Sequence, residues 1–139
     1  MKIYAMKKLI IIISVIVAVV VRTGATEGMK FTCQPYLQNV GATEATLIWA
    51  TDCDAVAWVE LAPDDGTHFY AAERPQYYCT SLGKKNIGKL HKITLKGLTP
   101  ATTYRYRVFS REVTRNVNKD TRYGAIAATN VYKSLFNNK

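Results

Sequence analysis

Apolar and polar residues alternate with period two in several short stretches separated by turn signals, and outside the amino-terminal apolar run no stretch keeps a 3.6-residue repeat. That pattern predicts strands, not helices. Phe31 to Gln38 mixes apolar and polar residues around Pro35, and a proline inside an extended run confines it to an edge or a bulge. After a turn at Asn39 to Glu44, Ala45 to Thr51 puts Leu47 and Trp49 on one face and Thr46, Ile48 and Ala50 on the other, with Trp49 as the core tryptophan. Asp52-Cys53-Asp54 reads as a polar turn, and Ala55 to Ala62 as the next strand. Its inward set is Ala57, Val59 and Leu61, because the opposite phase would bury the Glu60 carboxylate without a partner. Trp58 therefore faces outward.

Pro63-Asp64-Asp65-Gly66 is a tight-turn signature. Thr67 to Glu73 resumes as a short strand, and Arg74 to Gly88 has no sustained period and reads as a long loop, a class often functional or interface-forming. Leu90 to Lys96 alternates again. Gly97-Leu98-Thr99-Pro100 then makes a corner feeding a strand in which Tyr104, Tyr106 and Val108 alternate with Arg105 and Arg107. A tyrosine just after such a corner is the trace of a phenol that packs inside and bonds back to the upstream backbone, which marks Tyr104, Leu98 and Pro100 as structural. Val113 to Arg122 has hairpin-loop composition, Tyr123 to Tyr132 reads as a last strand broken or bulged at Gly124, and Ser134 to Lys139 as a tail. About seven short strands between turn signals predict an all-β sandwich of the fibronectin III or immunoglobulin type.

The amino terminus changes the picture of where the chain works. Lys2, Lys7 and Lys8 precede an apolar run from Leu9 to Val21, followed by Arg22-Thr23-Gly24-Ala25. The run is short for a bilayer span and fits a signal peptide, residues 1–25, cleaved after Ala25. The export expected from it places the domain in the periplasm, on the cell surface or outside the cell. The other reading is an uncleaved anchor lengthened through Met6, the only form in which the membrane is a partner.

Cleavage removes four basic residues and lowers the formal net charge from +9 to +5. Lys84, Lys85 and Lys89 remain in a loop without the aromatic interleaving of single-stranded nucleic-acid platforms, so no nucleic-acid partner is expected. The rest is enough for one domain, residues 26–133, with 134–139 as tail or linker. Cys33, Cys53 and Cys79 would meet an oxidising compartment, where two of the three can form a disulfide and sequence does not choose the pair. No Cys-x-x-Cys pair supports a zinc site.

Cys33-Gln34-Pro35-Tyr36-Leu37-Gln38-Asn39, Thr46 to Thr51, Ala57 to Glu60, His91 to Leu95 and the Gly97 to Val108 corner together resemble the amino-terminal fibronectin III-like domain of purple acid phosphatases, especially bacterial calcineurin-like phosphoesterases. The likeness runs from about Phe31 to Val113, and the Pro-Tyr-Leu-Gln-Asn entry is its discriminating part. It implies that catalysis resides in a separate carboxy-terminal metallophosphoesterase domain holding a binuclear metal centre, which clamps a phosphoryl group and generates hydroxide. The sequence ends at Lys139 without Asp-x-His, Gly-Asp-x-x-Tyr or Gly-Asn-His-Glu segments. No metal ligand carries over, the expected partner is that catalytic domain in cis, and no cofactor is expected in this chain.

His68 and His91 have no serine or cysteine in triad-like order, and Asp64-Asp65 suits a turn better than an acid/base pair. Trp58, Arg105 and Arg107 are the candidate interface: guanidinium stacking on an outward indole, with Trp58 and the 74–88 loop as the alternative, a surface docking the catalytic domain or a glycan. Two functions stay open, a noncatalytic accessory domain of an exported phosphatase and a stand-alone adhesion or carbohydrate-binding module.

Overall fold

The computed structural model describes residues 28–115 and 118–136, so the expected signal peptide lies outside the described residues. These residues are all β: β1 (Phe31–Gln38), β2 (Ala45–Pro63), β3 (Gln76–Tyr78), β4 (Thr80–Ser81), β5 (Lys84–Lys85), β6 (Gly88–Leu95), β7 (Thr102–Arg115), β8 (Thr121–Ala128) and β9 (Tyr132–Phe136). Apart from the small β4–β5 hairpin, they join in one antiparallel sheet that curls around a single core.

β2 organises the sheet. Its first half pairs with β1 on one side and β6 on the other, and its second half pairs with β7 and β3. The exchange of partners falls at residues 51–54, where the register against β6 slips between Ala50 and Ala55. The turn expected at Asp52-Cys53-Asp54 is therefore a bend inside one long strand. The polar side chains stay at the surface while the backbone remains extended, tied by Asp52 N–H to Lys30 O at 3.0 Å and Lys30 N–H to Asp52 Oδ1 at 3.0 Å.

Alternation survives the bend. Ala45, Leu47 and Trp49 before it and Ala57, Val59 and Leu61 after it enter the same core, joined by Ile93 and Leu95 of β6, Tyr106 and Val108 of β7, and Leu98. Burial of this apolar set is the main stabilising term, at about 25 cal/mol per Å² removed from water. Trp49 crosses the core to donate its Nε1–H to Ser110 Oγ at 2.9 Å, both residues being fully buried.

The corner before β7 depends on Gly97 at φ +72°, a left-handed conformation that glycine takes without Cβ strain. Leu98 plugs the core and donates its N–H to Thr43 O at 2.8 Å, while Pro100 stays exposed and accepts from Thr102 Oγ1. The Thr99 N–H donates to the Tyr104 hydroxyl at 2.9 Å.

Three other expectations are corrected. Thr67 to Glu73 is no strand: it lies in an irregular excursion between β2 and β3, held from β7 by Arg105 and plugged by buried Phe69. The 74–88 segment is no structureless loop, since it contains β3 and the β4–β5 hairpin. Ser134 to Phe136 are no tail but part of β9, and the single last strand expected over Tyr123 to Tyr132 is two, β8 and β9, which line successive stretches of β7. The bulge does sit at Gly124, where the register shifts opposite Glu112 and a Cβ would stand 2.9 Å from the Glu112 carboxylate.

Candidate functional site

The outer face of β2 and β7 gathers the chemistry-bearing side chains. Pairing sets Val56 opposite Arg111, Trp58 opposite Phe109, Glu60 opposite Arg107 and Ala62 opposite Arg105. Directly opposed residues share a face of an antiparallel sheet. Three arginines with one phenylalanine among them thus line β7. β3 adds Tyr78 beside Trp58 and Gln76 beside Glu60.

Trp58 faces outward as its phase requires, yet it is only 8% exposed. The indole stacks on Phe109 at 5.2 Å with the rings 2° from parallel, and Tyr78 covers it at 5.5 Å. The open aromatic expected from the sequence is therefore a covered one, and the ring stacked on it is Phe109 where an arginine was expected. Arg107 instead lies 5.0 Å over Phe109 and 5.9 Å over Tyr70. It donates from Nε to Thr129 O at 2.8 Å and from Nη1 to the Tyr70 hydroxyl at 3.0 Å. Burial and the nearby Glu60 carboxylate push the Tyr70 hydroxyl up, against the opposing pull of Arg107.

Arg105 is engaged elsewhere. Its guanidinium donates to Pro63 O at 2.9 Å, Thr67 O at 2.6 Å and Asp65 Oδ1 at 3.4 Å, and it sits 5.8 Å over Phe69. Asp65 in turn accepts from the Thr67 hydroxyl at 2.6 Å and the Thr67 N–H at 3.0 Å, and these bonds, with Arg105 adding to them, hold its carboxyl below the usual range. Arg105 therefore clamps the 64–67 turn, and is no free interface residue.

Two clefts open on this face. One, of about 590 Å³, is lined by Glu60, Tyr70, Glu73, Arg74, Pro75 and Gln76. Glu60 is nearly buried there, its Oε1 accepting from Gln76 Nε2 at 3.3 Å. The other, of about 320 Å³, is lined by Val56, Trp58, Tyr78, Lys85, Arg111 and Tyr123.

No converging acid, base and nucleophile is present among the described residues. His91 is fully buried against Trp49, its Nε2 3.0 Å from Thr51 Oγ1. His68 is exposed and accepts from the Tyr70 N–H at 3.2 Å through Nδ1. The three cysteines stand unpaired in the structure. Cys79 is buried with its thiol toward Lys92 O, Cys53 sits in the bend of β2, and Cys33 is exposed on β1, opposite Ala50. Burial and the surrounding carboxylates Glu112, Asp52 and Asp54 push the Cys53 thiol up, away from the reactive thiolate. No group of three or more His, Cys, Asp or Glu side chains among the described residues could hold a metal ion.

Sequence reasoning missed the contributions of Tyr78, Lys85, Arg111 and Tyr123, which come from four different strands and meet only where the curled sheet and the β4–β5 hairpin come together. The alternation of Arg105, Arg107, Phe109 and Arg111 with the inward set was the one signal for the face they share.

A family model described as the purple acid phosphatase N-terminal domain matches residues 32–123. No curated protein matches the chain. Among solved structures, the sensor domain of the anti-sigma factor RsgI4 in Pseudobacteroides cellulosolvens is similar at 16% sequence identity and a TM-score of 0.40, over 80% of this chain and 98% of that one.

Proposed function

The chain belongs to the family of purple acid phosphatase N-terminal domains, and from that premise we propose that it is the noncatalytic accessory domain of an exported metallophosphoesterase. Its partner is a catalytic domain in cis, where two metal ions would serve phosphate-ester hydrolysis. The family match carries this reading. The donor set of the described residues does not fit a metal centre, so the chemistry is assigned to that second domain and no step is routed through this one. A fibronectin III-like sandwich is the fold proposed for it, supported by the curled antiparallel sheet and by the Tyr104 hydroxyl bonded to Thr99 N–H. Export is supported by the basic start and the short apolar run from Leu9 to Val21.

A stand-alone secreted binding module is the second reading, favoured by the clustered rings and cations on the outer face. Reading the genomic DNA beyond the Lys139 codon separates them. An open frame or adjoining segment encoding Asp-x-His, Gly-Asp-x-x-Tyr and Gly-Asn-His-Glu motifs supports the accessory domain. A stop codon followed by unrelated genes overturns it in favour of the module.

A further inference from the structure

From the smaller cleft on the outer face we infer that this domain binds an anionic saccharide, a sugar ring carrying a carboxylate or a phosphate. The inference holds whichever of the two functional readings is right, because it rests on the cleft alone. Of the six lining residues, Lys85 and Arg111 are cationic and none is acidic. Such a wall repels cations and favours anions. The larger cleft, with Glu60 and Glu73 beside Arg74, has no such uniform sign.

Trp58 supplies a second, independent observation. It is more than nine-tenths buried, it forms part of the wall, and its Nε1–H has no hydrogen-bond acceptor. A buried donor left without a partner costs about 1–3 kcal/mol, and a small shift of the Trp58 wall that let a ligand oxygen reach it would recover that cost. Tyr78 and Tyr123 add aromatic faces, and the cations lie beside them: Lys85 Nζ 3.8 Å over the Tyr78 ring and the Arg111 guanidinium 5.4 Å over the Tyr123 ring. Tyr123 is 55% exposed, whereas Trp58 is covered by Tyr78 and Phe109. A volume of about 320 Å³ is at the low end of ligand clefts, which run from about 300 to 1,000 Å³. It suits a compact sugar better than an extended strand of nucleic acid, which needs a longer basic track.

The test is an indole N–H titration. The chain has two tryptophans, and only Trp49 has its Nε1–H already bonded, to Ser110. The full chain, labelled with nitrogen-15, is titrated with digalacturonic acid, glucose 6-phosphate, neutral cellobiose, inorganic phosphate and a short oligothymidylate. A saturable shift of the Trp58 indole signal with either acidic sugar, the Trp49 signal holding still, is expected, and which of the two acts identifies the charged group. Arg111→Glu and Lys85→Glu, both at exposed positions, each weaken that binding by about tenfold or more, with the remaining amide spectrum showing that the fold is kept. The inference is overturned if neither acidic sugar moves the Trp58 signal. It is equally overturned if cellobiose or inorganic phosphate binds as well as the acidic sugars, if oligothymidylate binds more tightly, or if both charge reversals leave affinity unchanged.

Discussion

Acid should unfold this domain through one imidazole. His91 lies fully buried on β6 against Trp49, and burial pulls its pKa from 6.5 to about 4. The hydrogen-bond order explains why the neutral form is favoured. Thr51 Oγ1 spends its only hydrogen on Cys53 O at 2.8 Å, so at 3.0 Å it accepts from His91 Nε2–H. That fixes the tautomer and leaves Nδ1 as a bare lone pair without a partner. Protonation would place a charge and an unpaired donor in the core.

Above pH 6.5 the ring is neutral in both folded and unfolded chains, and this group adds no slope. Between 6.5 and about 4 the unfolded chain takes up a proton that the folded chain refuses, so stability falls as pH falls. The loss reaches at most about 3 kcal/mol at the foot of that window, a drop in melting temperature on the order of 10 °C. Urea unfolding at pH 7.5, 6, 5 and 4.5 measures it, with His91→Gln as the control that retains a donor for Thr51 and cannot titrate. The variant should lose the wild-type slope over this range. A His91 ring midpoint at or above 6.5 by proton NMR, or the same slope in the variant, would refute the reasoning.

Other perturbations follow from the same contacts. Ser110→Ala strands the Trp49 Nε1–H in the core and should cost about 1–3 kcal/mol in denaturant unfolding, whereas a change within 0.3 kcal/mol would mean that another acceptor replaces it. Leu82 is fully exposed at φ +50° in the β4–β5 turn beside Gly83 at φ +74°. Leu82→Asn should therefore raise stability by about 0.5–1 kcal/mol, read as an upward shift in melting temperature. Arg105→Met removes the clamp on Pro63 and Thr67, and should speed amide exchange and proteolytic nicking across residues 64–75 while β1 and β6 stay protected.

What the sequence shows and hides divides along the range of the interactions. The phase of Ala57, Val59 and Leu61 was legible because the rival phase would bury Glu60 in the core, and the Gly97 corner because its turn residues are local. Glu60 is nevertheless almost buried, on the outer face, where Gln76 and the 64–75 excursion cover it. No local pattern announces that cover. Asp52-Cys53-Asp54 has turn composition, but the register slip and the Lys30 bonds let the strand continue through it. Thr67-His68-Phe69-Tyr70 has strand propensity, overridden by Arg105 reaching from β7 to fix the preceding turn. The cleft around Trp58 was illegible for the same reason, since its walls are assembled from residues between 56 and 123 by the sheet and the β4–β5 hairpin.

The accessory role proposed for this domain leaves phosphate-ester hydrolysis to the second domain. Turnover of p-nitrophenyl phosphate by the repurified full chain, with zinc, iron or manganese added, tests it most directly. Rates equal to those of the same metals in protein-free buffer are predicted. Saturable turnover that survives a second purification and tracks the protein peak would contradict it.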